Sequence, residues 1–175
     1  MSVVDLAPAV VVMTHDQLVV RAAHWLRNTR SCSVVLSEVA SRNGGEEPDA
    51  IGWTRGECIV IECKVTESDL RADRQKPFRQ MPAMGLGSER WLLVDERIAL
   101  SRACSLAMPG WGVLSIGDGG KIRRHQACSA MPSNREREIA ILASVIARYQ
   151  AQGISFNGWG DPNHVLADKA DRPTK

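Results

Sequence analysis

The order of elements along these 175 residues is that of an α/β domain. Three observations carry that reading: a capped amphipathic helix near the start, three short apolar stretches in close succession after it, and helices alternating with strands from there to a final helix. A chain of this length fits one domain with a single sizeable core. We place that domain at residues 14–153, with a flexible arm before it (1–13) and a poorly ordered tail after it (154–175).

Each element has its own signal. Thr14 with Gln17 three residues on is a capping box, and Leu18, Ala22 and Leu26, with Val19 and Trp25 beside them, give the following helix one apolar face. That helix should fade near Arg27 to Arg30. CSVVLSEV (32–39) reads as a strand and SRNGGEEP (41–48) as a loop. Strands follow at about 49–53 and 58–65, joined by a turn around Gly56. Thr66 caps a short helix that Pro77 should end. A strand at about 90–94 and a helix over 96–107 come next, the helix stopped by Pro109 and Gly110. WGVLSI and KIRRH, joined at Asp118-Gly119-Gly120, form a late β-hairpin. The last helix spans about 134–150, with a capping box at Ser133 and Glu136, a stripe of Ile139, Leu142, Ile146 and Tyr149, and a stop at Gly153. The order is α-β-β-β-α-β-α-β-β-α.

Composition narrows the function. The formal charge is +2, so a nucleic-acid surface has to come from local clusters. Five cysteines, an odd number without a CxxC pair, argue against a disulfide framework and a cysteine-rich zinc site. The four histidines lack metal-ligand spacing, and a reduced, cytoplasmic compartment is the simplest reading. MSVVDLAPAVVVM has no basic start and is interrupted by Asp5 and Pro8. We expect neither a signal peptide nor a membrane span.

The chemistry sits in CIVIECKV. Alternation puts Cys58, Val60, Glu62 and Lys64 on one face of a strand and Ile59, Ile61 and Cys63 on the other. An acid and a lysine in so apolar a strand cost several kcal/mol per unpaired ion. A divalent cation can offset that cost. If the two strands pair antiparallel around residues 54–57, Asp49 lands near Glu62. Two carboxylates brought together repel unless one is protonated or a cation lies between them. Oxygen ligands of this kind suit Mg²⁺ or Mn²⁺.

Pro48-Asp49, then Glu62-Cys63-Lys64 after twelve intervening residues, resembles the PD-(D/E)xK nuclease signature. Glu38, on the preceding strand, matches the extra acid of many members. The resemblance implies a restriction-endonuclease-like αβββαβ core with a mixed central sheet flanked by helices. It implies one or two Mg²⁺ or Mn²⁺ ions held by Asp49, Glu62, the Cys63 carbonyl and Glu38, and a Lys64 that orients or deprotonates the attacking water. A lysine held beside cations and apolar walls can have its pKa lowered for that role. A narrower similarity, to the MmcB-like DNA-repair branch, runs over residues 14 to about 125. Ser68-Asp69-Leu70-Arg71-Ala72-Asp73-Arg74-Gln75-Lys76 and Pro109-Gly110-Trp111-Gly112-Val113-Leu114 carry it. Glu46 and Glu47 depart from that branch.

The resemblance implies an endonuclease acting on DNA, in repair or phage-related processing, and admits a homodimer because one site cuts one strand. The alternative is a nuclease-fold protein that binds nucleic acid, or regulates, without turnover. Asp49, Glu62 and Lys64 could also form a structural ion pair, and Glu38 could point to the metal or merely end the sheet. Lys76 and Gln80, with Arg74 and Arg79, are the candidate phosphate contacts. Their bland reading is a solvated helix face. Trp53, Trp91 and Trp111 are expected to pack, and Cys63 to be a small buried hydrophobe.

Overall fold

The computed structural model describes residues 13–39, 45–95, 98, 100–117 and 120–154. Residues 1–12 of the expected arm, the middle of the loop before Asp49, Asp118 and Gly119 of the hairpin turn, and nearly all of the expected tail lie outside them. Two compact units divide the chain, residues 1–134 and 135–175.

The first unit is a mixed α/β structure on a six-stranded sheet. Its strands are β1 (Val34–Ser37), β2 (Ala50–Trp53), β3 (Cys58–Lys64), β4 (Glu89–Asp95), β5 (Gly112–Ile116) and β6 (Ile122–Gln126), side by side in chain order. β1, β2 and β3 form an antiparallel meander, β3, β4 and β5 run parallel, and β6 returns antiparallel as the expected hairpin. The helices are α1 (His15–Asn28), α2 (Glu67–Asp73), α3 (Pro77–Gln80) and α4 (Leu100–Leu106), with a 3₁₀ turn at Pro82–Met84. Among the described residues no helix is long and apolar enough to cross a membrane.

α1 begins at the expected cap. Gln17 N–H donates to Thr14 Oγ1 at 3.2 Å, and Thr14 N–H donates to Gln17 Oε1 at 2.9 Å. Its stripe of Leu18, Ala22 and Leu26 meets Ile59, Ile61 and Cys63 of β3 and Trp91 and Leu93 of β4. The opposite face of the sheet holds Leu92, Val94 and Val113 under Leu70 of α2 and Ala103 of α4. The alternation along β3 therefore sends Ile59, Ile61 and Cys63 together into the α1 core. β3 is buried along its whole length, as a strand covered on both faces should be. The three tryptophans pack as expected; Trp91 and Trp111 are almost fully buried.

Two sequence expectations shift. α2 stops at Asp73, ahead of Pro77, and Pro77 opens α3 at its first turn, where a missing N–H costs nothing. β1 ends at Ser37, and Glu38 follows with φ 49°, a left-handed backbone unusual for a residue with a Cβ. The alternation that was to fix the direction of Glu38 therefore stops one residue short of it.

The close approach of β4 to β5 needs a glycine. Gly112 pairs with Trp91, and a Cβ there would collide with the indole ring. Gly112→Ala is expected to destabilise the fold by about 1–3 kcal/mol, the usual range for overpacking a core. Urea denaturation reads it as a lowered midpoint with an unchanged slope.

The second unit carries α5 (Arg135–Ala151). It ends at the expected glycine: Gly153 has φ 82°, and Ile154 N–H returns to the Tyr149 carbonyl at 3.1 Å.

Candidate active site

The β2–β3 register builds the site. Ala50 faces Ile61, so one step further out Asp49, just before β2, stands against Glu62. Cys63 N–H donates to Asp49 Oδ2 at 2.7 Å, which ties the carboxylate to β3. Asp49 Oδ1 lies 3.3 Å from His15 Nε2 at the start of α1. Among the described residues His15 is the one basic side chain at ion-pair distance from Asp49.

Glu62, 2% exposed, is met by two cations. Lys64 Nζ donates to Glu62 Oε2 at 3.1 Å and reaches Asp73 Oδ1 at 3.4 Å. Arg79 lies 3.0 Å from Glu62 Oε1. That contact is ionic without the direction of a hydrogen bond, so Oε1 is buried with acceptor capacity left over. Arg79 also donates through Nε to Asp73 Oδ2 at 2.7 Å and pairs with Glu46 Oε1, whose other oxygen accepts Leu86 N–H at 2.5 Å. Its guanidinium lies over the rings of Trp111 (4.5 Å to the centroid) and Phe78 (4.8 Å). Lys76 Nζ closes the network at 2.8 Å from Asp73 Oδ1.

Charges this deep persist only when paired. Glu46, Glu62 and Asp73 are balanced by Lys64, Arg79 and Lys76. Burial raises the pKa of Glu62 above the usual carboxylate value, against the pull of Arg79 and Lys64. Burial acts the same way on Asp73, but there Arg79, Lys64 and Lys76 prevail and hold the carboxyl well below its usual range. Lys64 is lowered by burial, yet Glu62, Asp73 and Asp49 together keep it above the ordinary lysine value. The lowered lysine expected from the sequence is thus corrected: three carboxylates outweigh desolvation, and Lys64 stays an ammonium ion.

Asp49, Glu62 and Lys64 come together as the motif requires. Cys63 lies between Glu62 and Lys64 on β3, its side chain in the α1 core and its thiol pushed well up by burial. Glu38 does not join them. It is exposed and stands with His15 and Asp16, their ligand atoms within 4.8 Å of one another. Arg79 is corrected too: at 2% exposure, with its donors spent on three acids, it faces no external phosphate. Lys76, Arg74 and Gln80 remain at the surface, Gln80 bonded to the Arg74 carbonyl at 2.7 Å.

The sequence reading missed Glu46, Asp73 and His15. Glu46 had been noted only as an acid foreign to the MmcB-like branch, and Asp73 hid among five other charges in the run from Asp69 to Arg79. His15 stands beside the cap residue of α1, a position that carries no metal-ligand spacing.

The donor set fits a divalent ion. Asp49 and Glu62 present hard oxygens from facing positions on paired strands, and Glu62 Oε1 keeps unfilled acceptor capacity.

No family model and no curated protein matches the chain. A solved structure is similar: the SPO1766 protein of unknown function from Silicibacter pomeroyi, at a TM-score of 0.57 and 20% identity, over 81% of this chain and 91% of that one. At that identity the likeness speaks to the α/β fold alone.

Proposed function

We propose that this chain is a metal-dependent hydrolase of DNA phosphodiester bonds, of the PD-(D/E)xK type, with Asp49, Glu62 and Lys64 as its working residues. The carrying observation is the β2–β3 pairing, which sets Asp49 against Glu62 with Lys64 two residues on. The element order α1-β1-β2-β3-α2-α3-β4 supports a restriction-endonuclease-like core, since it follows the αβββαβ order that the motif implies once α2 and the four-residue α3 are counted as one helical segment.

Asp49 and Glu62 would hold an Mg²⁺ or Mn²⁺ ion, whose contribution there would be Lewis acidity toward the phosphate and the attacking water. Lys64, kept cationic by its carboxylates, orients that water and balances phosphate charge; it does not abstract the proton. The Cys63 N–H fixes Asp49, and Arg79 fixes Glu62. Lys76, with 44% of its side chain exposed, is the nearest surface cation for the DNA backbone, with Arg74 and Gln80 beside it.

A second reading, DNA binding without turnover, draws on the cation already present at each oxygen of Glu62. Metal titration separates the two. A ligand at a hundredfold excess over its Kd adds about 2.7 kcal/mol of stability. Mg²⁺ or Mn²⁺ should therefore raise Tm by several degrees. Asp49→Asn keeps an acceptor for Cys63 N–H, removes the charge and should cancel the rise. Equal responses in both proteins would exclude Asp49 as a ligand.

A further inference from the structure

We infer that this site takes a single divalent ion and that the guanidinium of Arg79 stands in for the second cation of a two-metal site. The inference rests on the hydrolase reading above and gives Arg79 the part of a positioning residue, acting on the metal through Glu62.

The charge count argues for it. Glu46, Glu62 and Asp73 are already neutralised by Lys64, Arg79 and Lys76, which leaves Asp49 as the acid of this cluster with no lysine or arginine at ion-pair distance among the described residues. One divalent ion against one such carboxylate leaves a single positive charge to meet a phosphate. A second ion would leave three, with no further acid to hold it. In two-metal sites the ions sit roughly 3.5–4 Å apart and share a clamp on the reacting phosphate. Here the carboxylate suited to such sharing is Glu62, and Arg79 and Lys64 already face its two oxygens.

Arg79 cannot withdraw to make room. It is held by Glu46 and Asp73 and lies against the rings of Phe78 and Trp111. Moving it would take a cation from three buried acids at once. Lys64 differs: it is shared between Glu62 and Asp73, so it can lean on Asp73 when Glu62 takes a metal. The incoming ion therefore works beside a fixed guanidinium.

The test counts Mn²⁺ bound per chain from the loss of the free-ion EPR signal, in the wild type and in Asp49→Asn. The difference between them isolates the ions held at this site from any bound elsewhere on the surface. A difference of one is expected. A difference of two would overturn the inference and leave the hydrolase reading standing; a difference of zero would overturn both. In Arg79→Met, counted in protein whose near-ultraviolet dichroism is that of the fold, a second Mn²⁺ should become countable. An unchanged count in that folded variant would return Arg79 to a structural role alone.

Discussion

Replacing Arg79 with alanine is expected to lower the stability of the fold by about 3–5 kcal/mol, the cost of removing one partner from a buried ionic network. Three acids depend on it: Glu46, Glu62 and Asp73 all touch its guanidinium, and none has water to turn to. Lys64 and Lys76 can still serve Asp73, and Lys64 still serves Glu62, so Glu46 bears most of the loss. The pH dependence should change in a defined direction. Asp73 is held below its unfolded value of 3.8, so its contribution is present above that value and fades as pH falls through the folded one. Weakening its pairing removes part of that contribution, and the variant should lose less of its remaining stability on acidification. Urea unfolding at neutral pH and at about pH 2.5, below the unfolded value of Asp73, reads both effects. A loss under about 1 kcal/mol, the scale of a surface ion pair, would mean that the acids find other partners.

Lys64→Met should slow DNA cleavage by about 100-fold or more, the scale on which a preorganised charge at a reacting phosphate acts. Lys64 is buried against Glu62 and Asp73, with about a tenth of its side chain exposed, so it adds little to the surface that grips DNA. Affinity should stay within a few-fold while the single-turnover rate falls. Because Arg79 still pairs both acids, the variant should remain folded. Cleavage at the wild-type rate would take Lys64 out of the mechanism.

What the sequence made legible follows from what is local. The Thr14 box, the hairpin around Gly56 and the alternation in β3 are decided within a few residues, and each leads directly to the α1 cap, the Asp49–Glu62 register and the two-faced burial of β3. The rest of the ionic network around Glu62 and Lys64 is not local. Arg79 arrives from α3 after a break at residues 74–76, and Glu46 comes from a loop on the far side of the motif in sequence. A run of Arg, Lys and Asp looks the same whether it faces water or an interior already stocked with acids. From sequence Arg79 reads as a surface cation for that reason. Glu38 stays open between its two readings for a different reason: a period-two argument holds only while the strand lasts, and β1 ends before it.

The most direct test of the hydrolase reading is nicking of supercoiled plasmid by the purified chain, with Mg²⁺ and with EDTA, alongside Asp49→Asn. Nicking by the wild type that needs Mg²⁺, stops in EDTA and disappears in Asp49→Asn is the predicted result. Folded wild-type protein that leaves both single- and double-stranded DNA intact across Mg²⁺ and Mn²⁺ concentrations would contradict it.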